Sequence, residues 1–304
     1  MTPFLSIVIP TLNRRPTLER ALPTLARQTY PSDSCEILLC DSGSTDGTRA
    51  LVREMGLPNL RLIRGENRGR SGARNRGIRE ARGDIVLFTD ADILADERLL
   101  EEHARLYRST SRATATESGV CAVGCEVQVD SLEEYEVVRG HPEMGRHLHR
   151  KPTKETSWLF FLTGNASVPR NALFAAGLFD ESFTGYGHED LELGYRLRKI
   201  GLRIRYLPSA VNYHWHPVSL EDRCGRKELS GASTVRFYRK HRDPRIKLLL
   251  GVNPVSMLFH RLISRDGNLL RICRTRAKTS AVCREILLQH HYLTGVRSAM
   301  EGRS

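Results

Sequence analysis

Apolar residues open this chain in short unbroken runs joined by short polar links. Leu5–Ile9, Glu36–Cys40 and Ile85–Phe88 are compact, mostly apolar segments of strand length, which predicts strands covered on both faces. Arg61–Arg64 predicts a further short strand. Between these segments the spacing changes to that of helices. Pro16 stands at a first helical position ahead of Leu18, Leu22 and Leu25, and Pro23 should kink or shorten that helix. Asp46–Glu54 and Ala73–Ala81 predict two more helices, the second closed by Gly83. Strand alternating with helix over short links predicts a doubly wound, mostly parallel sheet of Rossmann-like type.

The pattern loosens after Ala95. Leu99–Leu106 is helical and Val120–Val129 strand-like, whereas Asp130–Thr156 is polar without periodicity and is expected to be a loop or lid. Trp158–Leu162 and Ile204–Leu207 predict strands, with a helix over Asp190–Ile200 that Gly201 stops. From Pro254 the chain turns helical. Val255, Leu258, Phe259, Leu262 and Ile263 mark one apolar face, and Val282, Ile286, Leu293, Val296 and Met300 another. The expected division is a catalytic domain over 1–217 and a helical basic region over 218–304.

Charge sharpens that division. The chain carries 47 Lys+Arg against 35 Asp+Glu in 304 residues, and Arg242–Ser304 alone holds 12 of the first and 4 of the second. A basic tail with an apolar stripe either lies on an anionic membrane surface or packs on protein, within the chain or on a second copy. The seven cysteines are scattered, with no Cys-x-x-Cys pair, so no zinc site or disulfide framework is expected. With no run of signal-peptide or membrane-span length, the expected location is the cytoplasm, with peripheral membrane contact as an addition. Nucleic acid is not an expected partner. No helix-turn-helix, zinc-finger or aromatic RNA-binding signature accompanies the basic residues.

Candidate chemistry gathers at strand ends. Asp90-Ala91-Asp92 follows the strand Ile85–Phe88, where ligands of open α/β sheets collect. Two carboxylates one residue apart can hold a divalent cation and, through it, phosphates; they also suit a solvated turn. Asp41-Ser42-Gly43-Ser44-Thr45-Asp46-Gly47-Thr48 follows the second strand, where Asp41 could accept from a nucleobase or ribose and Ser44 or Thr45 could cap the next helix. Asn67-Arg68-Gly69-Arg70-Ser71-Gly72-Ala73-Arg74-Asn75 leads into a helix, as suits phosphate. Glu189-Asp190 opens a helix, where the macrodipole favours carboxylates and where one of them can deprotonate a hydroxyl. His214 and His216 follow the last strand and could complete a metal shell with Asp92.

In this order and spacing, Ser6–Asn13, Asp41–Thr48, Ala73–Asn75, Asp90–Asp92, Leu162–Ser167, Gly177–Phe183 and Glu189-Asp190 resemble family 2 glycosyltransferases from Leu5 to Pro217. The resemblance implies a GT-A fold, a nucleotide-sugar donor, Mn²⁺ or Mg²⁺, and inversion at the anomeric carbon. It implies that Pro10, Thr11, Asn13, Asp41, Arg74, Asp90 and Ala91 line the donor site, Asp41 reading the base. Asp92 and Asp90 would face the metal with His214, or His216 as second choice. Asp190 would be the general base, and Glu189, Gly164 and Asn165 would meet the acceptor. Ser42 stands where many relatives have a second acid. The implied activity is transfer of a sugar, from UDP foremost, to a carbohydrate, lipid-linked or other hydroxyl acceptor. A retaining GT-A enzyme and a nucleotidyltransferase are the nearest alternatives, separated from it by the anomeric configuration of the product and by release of pyrophosphate.

Overall fold

The structure is a computed structural model that describes residues 2–110, 119–147, 154–215, 218–265 and 267–302. The chain divides into two compact units, Met1–Ser182 with Glu189–Pro217, and Phe183–His188 with Val218–Ser304.

The first unit is built on four parallel strands, β1 (Leu5–Thr11), β2 (Cys35–Asp41), β3 (Leu60–Arg64) and β4 (Ile85–Phe88), in the order β3-β2-β1-β4. Their connections are α1 (Arg15–Ala26), α2 (Thr48–Met55) and α3 (Gly69–Glu80). β1, β2 and β4 read as mostly apolar runs because both faces are covered, whereas β3 is only partly buried. Leu5, Ile7 and Ile9 pack with Leu18, Leu22 and Leu25 of α1, while Val8 packs with Ala73 and Ile78 of α3. Helix α1 continues through Pro23 to Ala26. One lost backbone hydrogen bond is outweighed by burial of its leucine face. Helix α2 is opened by Asp46 rather than Ser44 or Thr45, its carboxylate accepting from the Thr48 amide at 3.1 Å and hydroxyl at 2.6 Å.

Beyond β4 the sheet becomes mixed. The strands β5 (Ile93–Ala95), β6 (Val120–Val129), β7 (Arg146–His147), β8 (Glu155–Thr156), β9 (Ala166–Pro169) and β10 (Arg203–Trp215) extend it in the order β4-β9-β6-β10-β5, with β7 on β6 and β8 on β10. Helix α4 (Leu99–Thr110) follows β5. Three expectations change here. Trp158–Leu162 is not a strand: Trp158–Phe160 forms a single 3₁₀ turn, capped by the Ser157 hydroxyl on the Leu159 amide. The strand of this region is β9, antiparallel to both β4 and β6. The strand expected at Ile204–Leu207 runs on to Trp215, with a register shift between Leu207 and Val211 around Pro208, and β10 pairs parallel with β6. The expected loop Asp130–Thr156 contains helix α5 (Leu132–Val138), capped by Ser131, as well as β7 and β8. Helices α6 (Arg170–Ala175) and α7 (Glu189–Lys199) complete this unit.

The second unit is helical: α8 (Leu220–His241), α9 (Pro244–Leu249), α10 (Pro254–Arg265), α11 (Gly267–Arg276) and α12 (Ala281–Met300). Helices α8 and α12 pack backbone to backbone. A Cβ at Gly231 would lie 2.0 Å from the Tyr292 carbonyl oxygen, and one at Gly295 would lie 1.9 Å from that of Glu228. Leu293 and Val296 are buried here with Val235. Phe183–His188 joins this unit rather than the sheet: His188 Nε2 lies 2.8 Å from the Thr234 hydroxyl, and Ser233 donates to the Tyr186 carbonyl at 3.3 Å. On α10 only Ile263 of the expected stripe is buried; Val255, Leu258, Phe259 and Leu262 are exposed.

Candidate active site

Strand β1 pairs in parallel with β2 on one side and β4 on the other, so the connections diverge at its carboxyl end, the place where open α/β sheets bind ligands. Thr11, Asp41 and Asp90 all stand at this edge. Asn13 adopts a left-handed φ of 52° and joins two of its loops. Its amide donates to Ser44 Oγ at 2.9 Å, and its side-chain oxygen accepts from the Thr45 amide at 2.8 Å. The Thr11 hydroxyl is buried with no hydrogen-bond partner among the described residues, and Ala91 packs into the core next to Asp90. Asp41 is fully buried, with Oδ1 accepting from the Ser44 amide at 2.8 Å and Oδ2 from Arg49 Nε at 3.0 Å. Burial pushes its carboxyl up, but the Ser44 and Arg49 bonds outweigh this and hold it below the usual carboxylate range.

Arg74 is the centre of the acidic part of the site. Its side chain is 1 % exposed. It donates to Asp90 Oδ1 at 2.8 Å and Glu189 Oε1 at 3.2 Å, with Phe179 under its guanidinium at 5.5 Å. A buried cation needs paired anions, and these two carboxylates provide them. Arg74 therefore braces these two carboxylates from inside. Asp190, next to Glu189, is half-buried. Burial and the neighbouring Glu189 charge raise its carboxyl to about 7, against the opposing pull of Arg74.

Asp92 and His214 meet across the β5 edge. The Trp215 amide donates to the Asp92 carbonyl at 2.9 Å, and His214 Nε2 lies 3.5 Å from Asp92 Oδ1. His214 Nδ1 lies 3.1 Å from Glu126 Oε1. Burial lowers the imidazole pKa, but both carboxylates raise it, and the net result is well above the ordinary value. Among the described residues no three His, Cys, Asp or Glu side chains form a ready cage for a metal. The donor set at Asp92 and His214 still fits Mn²⁺ or Mg²⁺, because such ions commonly take one or two carboxylates and complete their shell with substrate phosphates and water. His216 lies outside the described residues.

Asn165 is buried and bonded within the protein. It is 3 % exposed, and its amide donates to the carbonyls of Cys125 at 3.2 Å and Ala210 at 2.9 Å. Its oxygen pairs with His103 Nε2 at 2.8 Å, and the other His103 nitrogen meets Ser167 Oγ at 2.8 Å. Burial pushes the His103 imidazole down to about 4, so it is neutral in this network. Gly164 sits beside the site, its carbonyl held by Asn212 Nδ2 at 2.7 Å. Sequence reasoning missed Glu126, Gln128 and Asn212. The signal available was a charged and a polar residue at alternate positions of the otherwise apolar Val120–Val129 run.

The mixed α/β sheet with acidic residues at its carboxyl edge has the GT-A fold. The chain belongs to Glycosyl transferase family 2, whose sequence model matches residues 6–174. It is similar to validoxylamine A glucosyltransferase of Streptomyces hygroscopicus, 31 % identical over 265 residues, covering 79 % of this chain and 61 % of that protein. It is also similar to chondroitin synthase of Escherichia coli, 30 % identical over 276 residues, covering 78 % of this chain and 39 % of that protein. The match thus spans less than two thirds of these relatives' length. Among solved structures, mannosyltransferase PcManGT of Pyrobaculum calidifontis, in complex with GDP-Man and Mn²⁺, superposes with a TM-score of 0.65 at 22 % identity, covering 100 % of this chain and 89 % of that one. S. aureus TarS in complex with UDP gives 0.56 at 18 % identity, covering 98 % and 92 %.

Proposed function

We propose that this protein is an inverting glycosyltransferase that moves a sugar from a UDP-sugar to an acceptor hydroxyl in glycan, polysaccharide or glycoconjugate synthesis, with Mn²⁺ or Mg²⁺ bound. The observation that carries this reading is the shared guanidinium of Arg74, which ties the strand-end Asp90 to the Glu189-Asp190 pair at the start of α7. Donor-side and acceptor-side carboxylates are thereby held at one site. The neighbours crystallised with GDP-Man and Mn²⁺ or with UDP support a nucleoside-diphosphate donor.

In this reading Thr11 and Asn13 line the nucleotide pocket, and Asp41 accepts from the base in place of Arg49. Asp92 and His214 hold the cation, which when bound offsets charge on the departing diphosphate. Glu189 orients the acceptor. Asp190 takes the hydroxyl proton as that oxygen attacks the anomeric carbon from the face opposite the diphosphate, which inverts the centre. Its raised carboxyl suits a base working near neutral pH, and such assistance contributes about two to four orders of magnitude in rate.

Among the described residues no helix is long and apolar enough to cross a membrane. The exposed Val255, Leu258, Phe259 and Leu262, with Arg261, Arg265, Arg271, Arg274, Arg276 and Lys278 also exposed, support a reading in which this face makes peripheral contact with an anionic membrane surface. The deciding experiment is a panel of nucleotide sugars, with acceptor sugars and lipids, assayed with Mn²⁺. UDP release with a product of inverted configuration is expected. Pyrophosphate release, or a product with the donor's configuration, overturns the reading.

A further inference from the structure

We infer that Glu126 is a positioning residue for His214: it accepts the Nδ1 proton and thereby turns Nε2 toward Asp92, where the cation is held. The inference rests on the metal reading above and adds a residue from a different strand. In the β6–β10 pair, Asn212 lies opposite Glu126 and His214 opposite Gln128. Successive strand side chains alternate between faces, so these four project from one face of two adjacent strands. His214 is held at both ring nitrogens, Nδ1 3.1 Å from Glu126 Oε1 and Nε2 3.5 Å from Asp92 Oδ1. A histidine that ligates through Nε2 carries its remaining proton on Nδ1. A carboxylate there fixes the ring orientation and makes Nε2 a better donor.

The surroundings are arranged to keep Glu126 in place. Gln128 Nε2 donates to the same Oε1 at 3.0 Å and lies 3.2 Å from His214 Nδ1. On the other side, a Cβ at Gly164 would stand 2.2 Å from Glu126 Oε2. A side chain at 164 would displace the carboxylate from this position, and the Asn212 amide donates to the Gly164 carbonyl at 2.7 Å. Asn212 and His214 lie two residues apart on β10, so one strand both confines the carboxylate and supplies the imidazole that the carboxylate orients. A carboxylate buried only for structural reasons would contribute to stability whether or not His214 were present.

The test measures Mn²⁺ affinity of the full chain in the presence of UDP, by calorimetry or by the EPR signal of unbound Mn²⁺. Glu126→Ala is expected to weaken Mn²⁺ binding about 10- to 100-fold. Glu126→Gln, whose amide oxygen still accepts from Nδ1–H, should recover most of that loss. Gly164→Ala, which keeps the carboxylate but displaces it, should weaken binding in the same direction and serves if Glu126→Ala does not fold. In a His214→Ala background, Glu126→Ala should add less than about twofold, because its effect passes through the imidazole. Wild-type Mn²⁺ affinity in both Glu126→Ala and Gly164→Ala overturns the inference, as does an undiminished loss in the His214→Ala background. Unchanged affinity in His214→Ala alone instead overturns the metal reading on which it rests.

Discussion

Arg74 Nη1 lies 3.2 Å from Glu189 Oε1, a bond that links two residues 115 positions apart in sequence. The same guanidinium holds Asp90 at 2.8 Å. One buried cation thus fixes the end of β4 against the start of α7. Removing it leaves Asp90 without this partner and Glu189 with only the longer Arg70 contact at 3.9 Å; breaking a buried pair costs about 3–5 kcal/mol. Arg74→Met should therefore lower the denaturation midpoint and abolish transfer. Arg74→Lys should recover only part of both, since an ammonium lacks the planar fork. A wild-type midpoint for Arg74→Met in urea would remove the bracing role.

Asp190 gives a pH prediction. Its carboxyl, raised to about 7 by burial and Glu189, is protonated below that pH and acts as a base only once ionised. Transfer should rise with pH up to about neutrality and level off above it. Asp190→Asn should lower the rate about 10²- to 10⁴-fold and lose that rising limb while donor binding persists. A rate within tenfold of wild type would place the base elsewhere.

Asp92→Ala tests the cation site. Binding of UDP in Mn²⁺ should weaken and donor turnover should cease, with a lower melting temperature as well because Asp92 is buried beside His214. Chelator should affect the wild type in the same direction. UDP binding in Mn²⁺ equal to that of wild type is the contrary outcome.

Asn165 should behave as a core residue. Asn165→Ala leaves His103 Nε2 and the carbonyls of Cys125 and Ala210 without their present partner. Each buried group so left costs about 1–3 kcal/mol. The expected signature is a lower melting temperature with the acceptor KM unchanged in the folded fraction. A raised acceptor KM at unchanged stability would restore the recognition role.

The α10 face predicts sedimentation with liposomes containing anionic lipid, declining as salt is raised. Exchanging Val255, Leu258, Phe259 and Leu262 for serine should abolish it without unfolding the bundle, since all four are exposed. A homo-oligomer by size exclusion, with no pelleting at low salt, would assign the face to a second copy.

Three strands of the parallel core, β1, β2 and β4, were legible in the sequence because strands covered on both faces become mostly apolar runs, and a run such as Ile85–Phe88 needs no knowledge of its neighbours. Trp158–Leu162 misled for the same reason: a short apolar run is compatible with any buried backbone, and the Ser157 cap turned this one into a helical turn. Leu132–Val138 was hidden because a seven-residue helix offers too few turns for its period to emerge from polar surroundings.

The order of its strand-end motifs by itself determined the family of this protein and the residue types of its site, because strand ends and helix starts are local features. Only the tertiary structure decided which charges meet. It paired Arg74 with Asp90 and Glu189, buried Asn165 against His103 and brought Glu126 to His214 across 88 residues of chain. Ion pairs and hydrogen bonds act over a few ångströms of space, and separation along the chain carries no information about that distance until β6 and β10 lie side by side.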